Sequence, residues 1–490
     1  MVQRDSYGRV LRCVFRGVPM STAHILAVTV CGAFAALGIW YARRRTDAES
    51  FHSATGSRGV ITSATSLVAL CAGTWVLSSP AETATWAGRT GLIGYALGSA
   101  APLVILAFLG PALRRRHPDA PSIGLMARAR WGAPAQLLVS GIALVYMSVY
   151  MAAELTAVGG AFIAVAGIDP WFITSLVAVT TLSYAAWGGL RATIFTDAVQ
   201  FWFVLPLLVT AFAAAIAGMG GWQAANAPLA GSPLMEPLSA AGLGMGVCLM
   251  LAIPAANLFD QSQWQRVYAC RDAATVRRAF LIAACAIAPI ILAAGWFGLW
   301  YAGLGLTSGG NGAVFAIIAA KTPQWVALAV LALALLLVMS TLGSLANGIA
   351  SVVAHDLASF RPGTTPQRRL AIGRWVTVGV ALAALPVAAQ QFSVTYVFLV
   401  ADLLCAAAVV PVFAGLCGLR LPLRGLMVSC IAGLVAGGVC FPRTDLTTPI
   451  YDVRPLLHLP GELNAFLVSF GLAILVSLVV AVAWPRERRA

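Results

Sequence analysis

The stretch SLVALCAGTWVLSSPAET (residues 66–83) is apolar enough to enter a bilayer, yet it holds Ala72-Gly73-Thr74 at its middle and Ser78-Ser79-Pro80 towards its end. Backbone groups freed from a helix are costly in lipid and are tolerated only against protein or a polar cavity. A second run, GMGVCLMLAIPAANLFDQSQWQR (244–266), is interrupted at Pro254 and rich in amides beyond it. It lies five helices later. Matched interruptions in two halves of a chain point to a transport site between inverted repeats. Each break also has a plainer reading, a Pro-kinked helix that binds nothing.

Hydroxyls gather on a third run, LLLVMSTLGSLANGIASVVAHDL (335–357), two helices after the second break. Ser340 and Ser344 share a face at i, i+4 spacing, with Thr341 beside them. Such hydroxyls often bond their own i−4 carbonyls. They are also hard oxygen donors. With carbonyls from an unwound neighbour they would hold an alkali cation without burying net charge.

The rest of the chain fits this frame. Of 490 residues, 60% are hydrophobic and only 10% charged, against about a quarter charged in soluble domains. Apolar runs near 22–42, 60–80, 90–113, 133–164, 170–188, 194–218, 239–262, 279–303, 324–353, 371–388, 394–416, 425–440 and 463–484 predict an all-α integral membrane protein with about 13 spans. The predicted organisation is a tail (1–21), a leading helix (22–42), a first five-helix repeat (60–218), a second (239–416), two trailing helices (425–484) and a short tail (485–490). An alternative start at Met20 would open directly onto the first span.

The formal charge of +14 reports topology and not a nucleic-acid partner. Arg43, Arg44, Arg45, Arg58, Arg114, Arg115, Arg116, Arg128, Arg130, Arg191, Arg266, Arg271, Arg277 and Arg278 fall on one side, as do most of the later arginines. The opposite loops hold Arg89, Lys321, Arg443 and Arg454. The positive-inside rule then puts the C-terminus in the cytoplasm, in a multi-pass plasma or inner membrane protein. The tail's Arg4, Arg9, Arg12 and Arg16 run against this assignment. The ten cysteines are scattered and form no CxxC, and no two of the five histidines pair at i, i+4, so zinc and iron–sulfur sites have no support.

The segment YAAWGGLRATIFTDAVQ (184–200) raises a separate question, because Asp197 and Gln200 stand just inside an apolar run. From LSYAAWGGLRATIFTDAVQ (182–200), DQSQWQR (260–266) and MSTLGSLANGIASVVAHDL (339–357), in this order, the chain resembles the sodium/solute symporter family over roughly residues 22–484. The stretches TWVLSSPAETATWAG (74–88) and ALRRRHPDAPSIGLMARARWG (112–132), with DQSQWQ, resemble its urea-carrying branch.

The resemblance implies an inverted-repeat (LeuT-like) core with broken first and sixth core helices. It also implies sodium ligands at the carbonyls of Thr74, Leu77 and Leu337 and the hydroxyls of Ser340 and Thr341. It further implies that Gly188-Gly189 end one helix in a tight turn, Arg191 marks the inner side, and Asp197 faces the cation path. The plainer reading of Asp197 is a capping or snorkelling carboxylate. Val76 stands where several sodium-coupled relatives carry an acid, which leaves a proton or no coupling ion open. Ala255-Ala256-Asn257 lack the gating aromatic of sugar carriers.

Other intramembrane polar residues are functional candidates. Glu154 and Asp402 are candidate proton carriers, and Trp75, Asn257, Gln261 and Glu154 are candidates for the substrate cavity. Each also has a packing role open to it, and His355-Asp356 reads as a helix terminus. The expected activity is secondary transport of a small polar solute (urea, an amino acid or a carboxylate-like compound), with Na+ as coupling ion. A proton-coupled or uncoupled permease is the alternative within the class. A membrane sensor is the alternative outside it, weakened because the chain stops at WPRERRA without an output domain. No HExxH or GxSxG supports an enzyme.

Overall fold

The computed structural model describes residues 18–44, 56, 58–306, 310–444, 448–459 and 464–484. The two tails and most of residues 45–57 lie outside them, and with them the reading of a start at Met20 and of the tail arginines. Among the described residues the fold is helical, with two isolated bridges, Arg58 to Cys270 and Pro442 to Pro449.

The leading helix α1 (Met20–Arg44) shows how the chain distinguishes protein from lipid. Ala23, Ala27, Cys31 and Ala35 are buried at i, i+4 spacing, while Ile25, Val28 and Trp40 are exposed. Small residues let backbones approach and large apolar ones face hydrocarbon, as expected where no hydrophobic force separates helix from lipid.

The first core crossing is broken. It consists of α2 (Val60–Cys71), a non-helical link at Ala72-Gly73, a 3-10 turn Thr74–Leu77, and the start of α3 (Ser79–Arg116). Gly88, at φ 64°, sits in the left-handed region that favours glycine and kinks α3. The kink separates the end of the first crossing from the second. After the short α4 (Ile123–Trp131) come α5 (Ala133–Ala166) and α6 (Pro170–Gly218).

α6 contains two crossings. Gly38 of α1 meets the Tyr184 ring, and Tyr41 stacks on Phe195 at 4.2 Å. At 49 residues α6 is about 74 Å long, more than twice the hydrocarbon thickness of a bilayer, and it holds both the Pro170–Ala185 and the Ala192–Gly218 apolar segments. The helical assignment continues through Gly188-Gly189, so the glycines do not end a helix as expected. The Arg191 side chain lies outside the described ones.

The second half repeats the plan. α7 (Trp222–Asn226) lies in a loop, and the second broken crossing is α8 (Ala240–Asn257) followed by α9 (Gln261–Ala269). The break falls at Leu258–Asp260 and not at Pro254, which stays inside α8. Asp260 decides the position, because its Oδ1 accepts the Ser262 N–H at 2.8 Å and caps α9. Then follow α10 (Ala273–Gly303), α11 (Ala313–Lys321), α12 (Gln324–Phe360), α13 (Pro366–Ala389), α14 (Val394–Cys417), α15 (Leu423–Val439) and α16 (Ala465–Ala483).

Among the described residues ten helices or helix segments are long and apolar enough to cross a membrane. Four shorter apolar helices accompany them, Val60–Cys71, Pro170–Ala185, Gly310–Lys321 and Leu423–Val439; the expected thirteen is reached when all but Gly310–Lys321 count towards crossings.

The part of α3 beyond the Gly88 kink meets the second broken crossing through glycine. α3 and α8 approach so closely that a Cβ on Gly94 would collide with the Gly246 backbone, and one on Gly98 would stand 2.7 Å from the Leu249 carbonyl oxygen.

Candidate functional site

The first break is held open by a carboxylate. Glu154 of α5 is fully buried, and its Oε2 accepts the Thr74 N–H at 2.8 Å. This satisfies a backbone donor freed by the break, at the positive end of the helix that follows. Gly73 makes room for it, since a Cβ there would collide with Glu154 Oε1. That oxygen has no hydrogen-bond partner among the described residues.

Beside the break lies a small, partly open cavity of about 40 Å³. Its walls are largely aromatic, made by Trp75, Tyr95, Tyr146, Tyr150 and Phe398. Trp75 Nε1 donates to Tyr150 Oη at 3.1 Å, and the Tyr95 and Ser79 hydroxyls are 2.9 Å apart. Asn257, Asp402, Thr395 and Ser99 add polar groups to the lining, and Leu249, Ile253, Ile287 and Leu399 add aliphatic ones.

Towards the side carrying Arg114–Arg116, a group of oxygens forms between α2 and α12. Ser340 Oγ lies 3.3 Å from the Ala69 carbonyl oxygen. Thr341 Oγ1 lies 3.4 Å from that of Leu70 and 3.2 Å from that of Leu337.

Next to this group is a buried ion pair. Arg266 Nη2 reaches Asp197 Oδ2 at 2.8 Å, with side-chain exposures of 2% and 0%. The same nitrogen donates to Ser344 Oγ at 2.8 Å, Nε donates to Ser66 Oγ at 3.0 Å, and Nη1 to the Ser262 carbonyl at 3.0 Å. Asp197 also accepts from Ser340 Oγ at 2.6 Å and Ser66 Oγ at 3.1 Å. Four crossings thus meet at one pair: α2, the second leg of α6, α9 and α12. A buried pair survives only where hydrogen bonds satisfy its remaining atoms, and here they do. Asn347 of α12 adds a hydrogen bond to Thr193.

The expected residues divide accordingly. Leu337, Ser340 and Thr341 come together, but Thr74 and Leu77 do not join them. Thr74 Oγ1 donates to the Ala334 carbonyl at 2.6 Å, and Leu77 borders a small apolar void with Leu208, Val330 and Leu333. Ala334 stands about 9 Å along α12 from Ser340. The carbonyls that face the hydroxyls belong to Ala69 and Leu70, roughly one turn earlier, because the chain is still helical up to Cys71.

Trp75 and Asn257 line the cavity as expected; Gln261 and Glu154 do not. Gln261 Nε2 donates to the Pro121 carbonyl at 2.9 Å and docks the loop before α4. Asp402, read as a proton carrier, lies in the cavity wall. Asp356 is not a helix terminus: α12 runs on to Phe360, and Asp356 accepts from Gln136 at 2.6 Å and Ser140 at 3.1 Å of α5.

Arg266, counted as a loop cation, is instead buried at the centre of the polar group. The sequence carried one signal for it, an arginine directly abutting an apolar run through the amide-rich DQSQWQ. Tyr146, Tyr150 and Phe398 carried none.

Two interrupted helices meeting beside a cavity at mid-depth, in a paired five-helix core, define a secondary active transporter of the LeuT fold. The chain belongs to the sodium:solute symporter family, whose sequence profile matches residues 51–433. The spermidine transporter DUR31 of Candida albicans is 27% identical over 384 residues, covering 78% of this chain and 72% of that protein. The urea-proton symporter DUR3 of Oryza sativa subsp. japonica is 26% identical over 208 residues, 40% of this chain and 28% of that protein. Among solved structures, a Na+-coupled sialic acid symporter in a substrate-bound outward-open state superposes with a TM-score of 0.74. That match is at 15% identity, over 96% of this chain and 99% of the other. The closed form of the nucleobase-cation symporter Mhp1 superposes with a TM-score of 0.55 at 16% identity, over 88% and 93%. The chain is therefore a transporter and not an enzyme.

Proposed function

We propose that the chain is a sodium-coupled symporter of a small polar solute, working in the cell membrane with its C-terminus in the cytoplasm. The observation that carries the choice of ion is the oxygen group between α2 and α12. Two hydroxyls and three carbonyls converge at separations of 3.2–3.4 Å, long for O–H···O bonds. Ligands of this kind would shorten onto a hard cation, and they add no net charge. Sodium drawn in here would tie α2 to α12 on the arginine-rich side of the cavity. Bound ion then favours the state closed on that side, and the ion leaves when the Asp197–Arg266 group parts.

The solute range open to the cavity includes urea and polyamines, which the relatives' names describe, and amino acids. Uptake by purified protein in liposomes tests the reading. An inward Na+ gradient at equal pH should drive accumulation of at least one of urea, a polyamine or an amino acid. Accumulation that follows a pH gradient in sodium-free buffer would reject sodium.

Proton coupling is the second reading. Glu154 favours it, as a carboxylate inside the membrane with one oxygen unpartnered at the helix break. On that reading Glu154→Gln abolishes pH-driven uptake.

A further inference from the structure

We propose that Asp402 is the anchor for a positively charged nitrogen of the solute, so that the cavity takes organic ammonium compounds in preference to neutral or acidic ones. The proposal rests on the reading of this cavity as the solute site and names its substrate class. Asp402 is 4% exposed and lies in the cavity wall, and among the described residues it makes no hydrogen bond or ion pair. No lysine, arginine or histidine lines the cavity. A carboxylate at this depth is costly without a counter-charge, and the described residues supply none.

The other polar groups of the lining are largely committed. The indole N–H of Trp75 goes to Tyr150, and the Tyr95, Ser79 and Thr395 hydroxyls form a chain at 2.9 and 2.6 Å. Asn257 donates to the Ile253 carbonyl and accepts from Gln263. Ser99 Oγ, also in the lining, has no hydrogen-bond partner among the described residues. The rest of the wall is aliphatic (Leu249, Ile253, Ile287 and Leu399) and aromatic. Trp75 stacks on Tyr95 at 5.9 Å, and Phe398 meets Trp75 and Tyr150 edge-on at 5.8 and 5.0 Å.

Aromatic faces and a carboxylate favour the same sign of charge. Cation–π attraction grows when the cation is desolvated, as it is here. An acidic solute would meet Asp402 as a like charge. Urea would leave the carboxylate without a counter-ion.

A second acid stands behind the cavity wall, next to its lining residue Thr395. Glu82 Oε2 accepts from Thr395 Oγ1 at 2.8 Å. Thr395 lies two turns from Asp402 on α14, about 10 Å along the helix.

The test uses the full-length protein with labelled butylamine, 1,4-diaminobutane, urea and glutamate, in equilibrium binding and liposome uptake. Wild type should bind the amines. Asp402→Asn should weaken amine binding by about 10- to 100-fold, the loss of a charge-assisted bond, and Asp402→Glu should recover part of it. A thermal melt unchanged from wild type distinguishes this from unfolding. Uptake of urea or glutamate without amines by wild type would overturn the ammonium assignment and leave the transporter reading intact. So would Asp402→Asn that binds amines like wild type, including the case where it loses only pH-driven uptake. Binding of none of the four would overturn the solute-site reading as well.

Discussion

Arg266 and Asp197 lie 2.8 Å apart, both out of reach of solvent, with every polar atom of the guanidinium engaged by α2, α6, α9 or α12. Removing one partner of such a pair leaves the other buried and unpaired, a cost of about 3–5 kcal/mol. Asp197→Asn and Arg266→Gln should each lower the unfolding temperature in detergent and slow transport. The double variant should melt above either single one, because neither charge is then stranded. Additive losses in the double variant would show that the two residues do not act as a pair.

The oxygen group makes a second expectation. Ser340→Ala with Thr341→Ala should raise the Na+ concentration for half-maximal uptake by at least about tenfold, the loss of roughly 1.4 kcal/mol. Solute affinity at saturating Na+ should change much less. Unchanged ion dependence would reduce both residues to packing hydroxyls.

Glu154 and Gly73 should behave as one element. Glu154→Ala strands the Thr74 N–H, at about 1–3 kcal/mol, while Gly73→Ala forces the same carboxylate aside by steric contact. Each should depress stability and uptake, and combining them should cost less than the sum. Uptake at wild-type level in Gly73→Ala would mean that the carboxylate does not hold the break.

Orientation is tested by labelling. Single cysteines at Ala230 and Arg271, both exposed, should react from opposite faces of intact cells, the second from the cytoplasm only. Reaction of both from outside would invert or refute the topology.

The local features were legible in the sequence because they are written locally. Ala72-Gly73-Thr74 broke the first crossing where Gly73 and Thr74 are weak helix formers, and Ser340 with Thr341 marked α12 as polar within an apolar run. The second break moved from Pro254 to Leu258–Asp260 because a proline inside a membrane helix is tolerated, whereas the Asp260 cap starts a new helix outright. Arg266 was illegible for a different reason. Its partners Ser66, Asp197 and Ser344 lie 69 to 200 positions away along the chain, and charge counting alone assigns any arginine beside an apolar run to the water. The same holds for Ala69 and Leu70, whose carbonyls no side-chain pattern announces.

The glycine contact between α3 and α8 bears on how the molecule moves. Gly94 against Gly246 and Gly98 against Leu249 bring main chain to main chain, with no side chain between them to change rotamer. α10 joins the same block, since a Cβ on Gly298 would collide with the Ala81 carbonyl. Contacts of this kind have one good register and no soft intermediate, so they neither slide nor hinge cheaply. The three helices therefore form a block that resists internal deformation. The hydroxyls and carbonyls facing α12 can exchange partners at small cost, whereas parting the buried Asp197–Arg266 pair is costly, so that pair latches the surface beside the block.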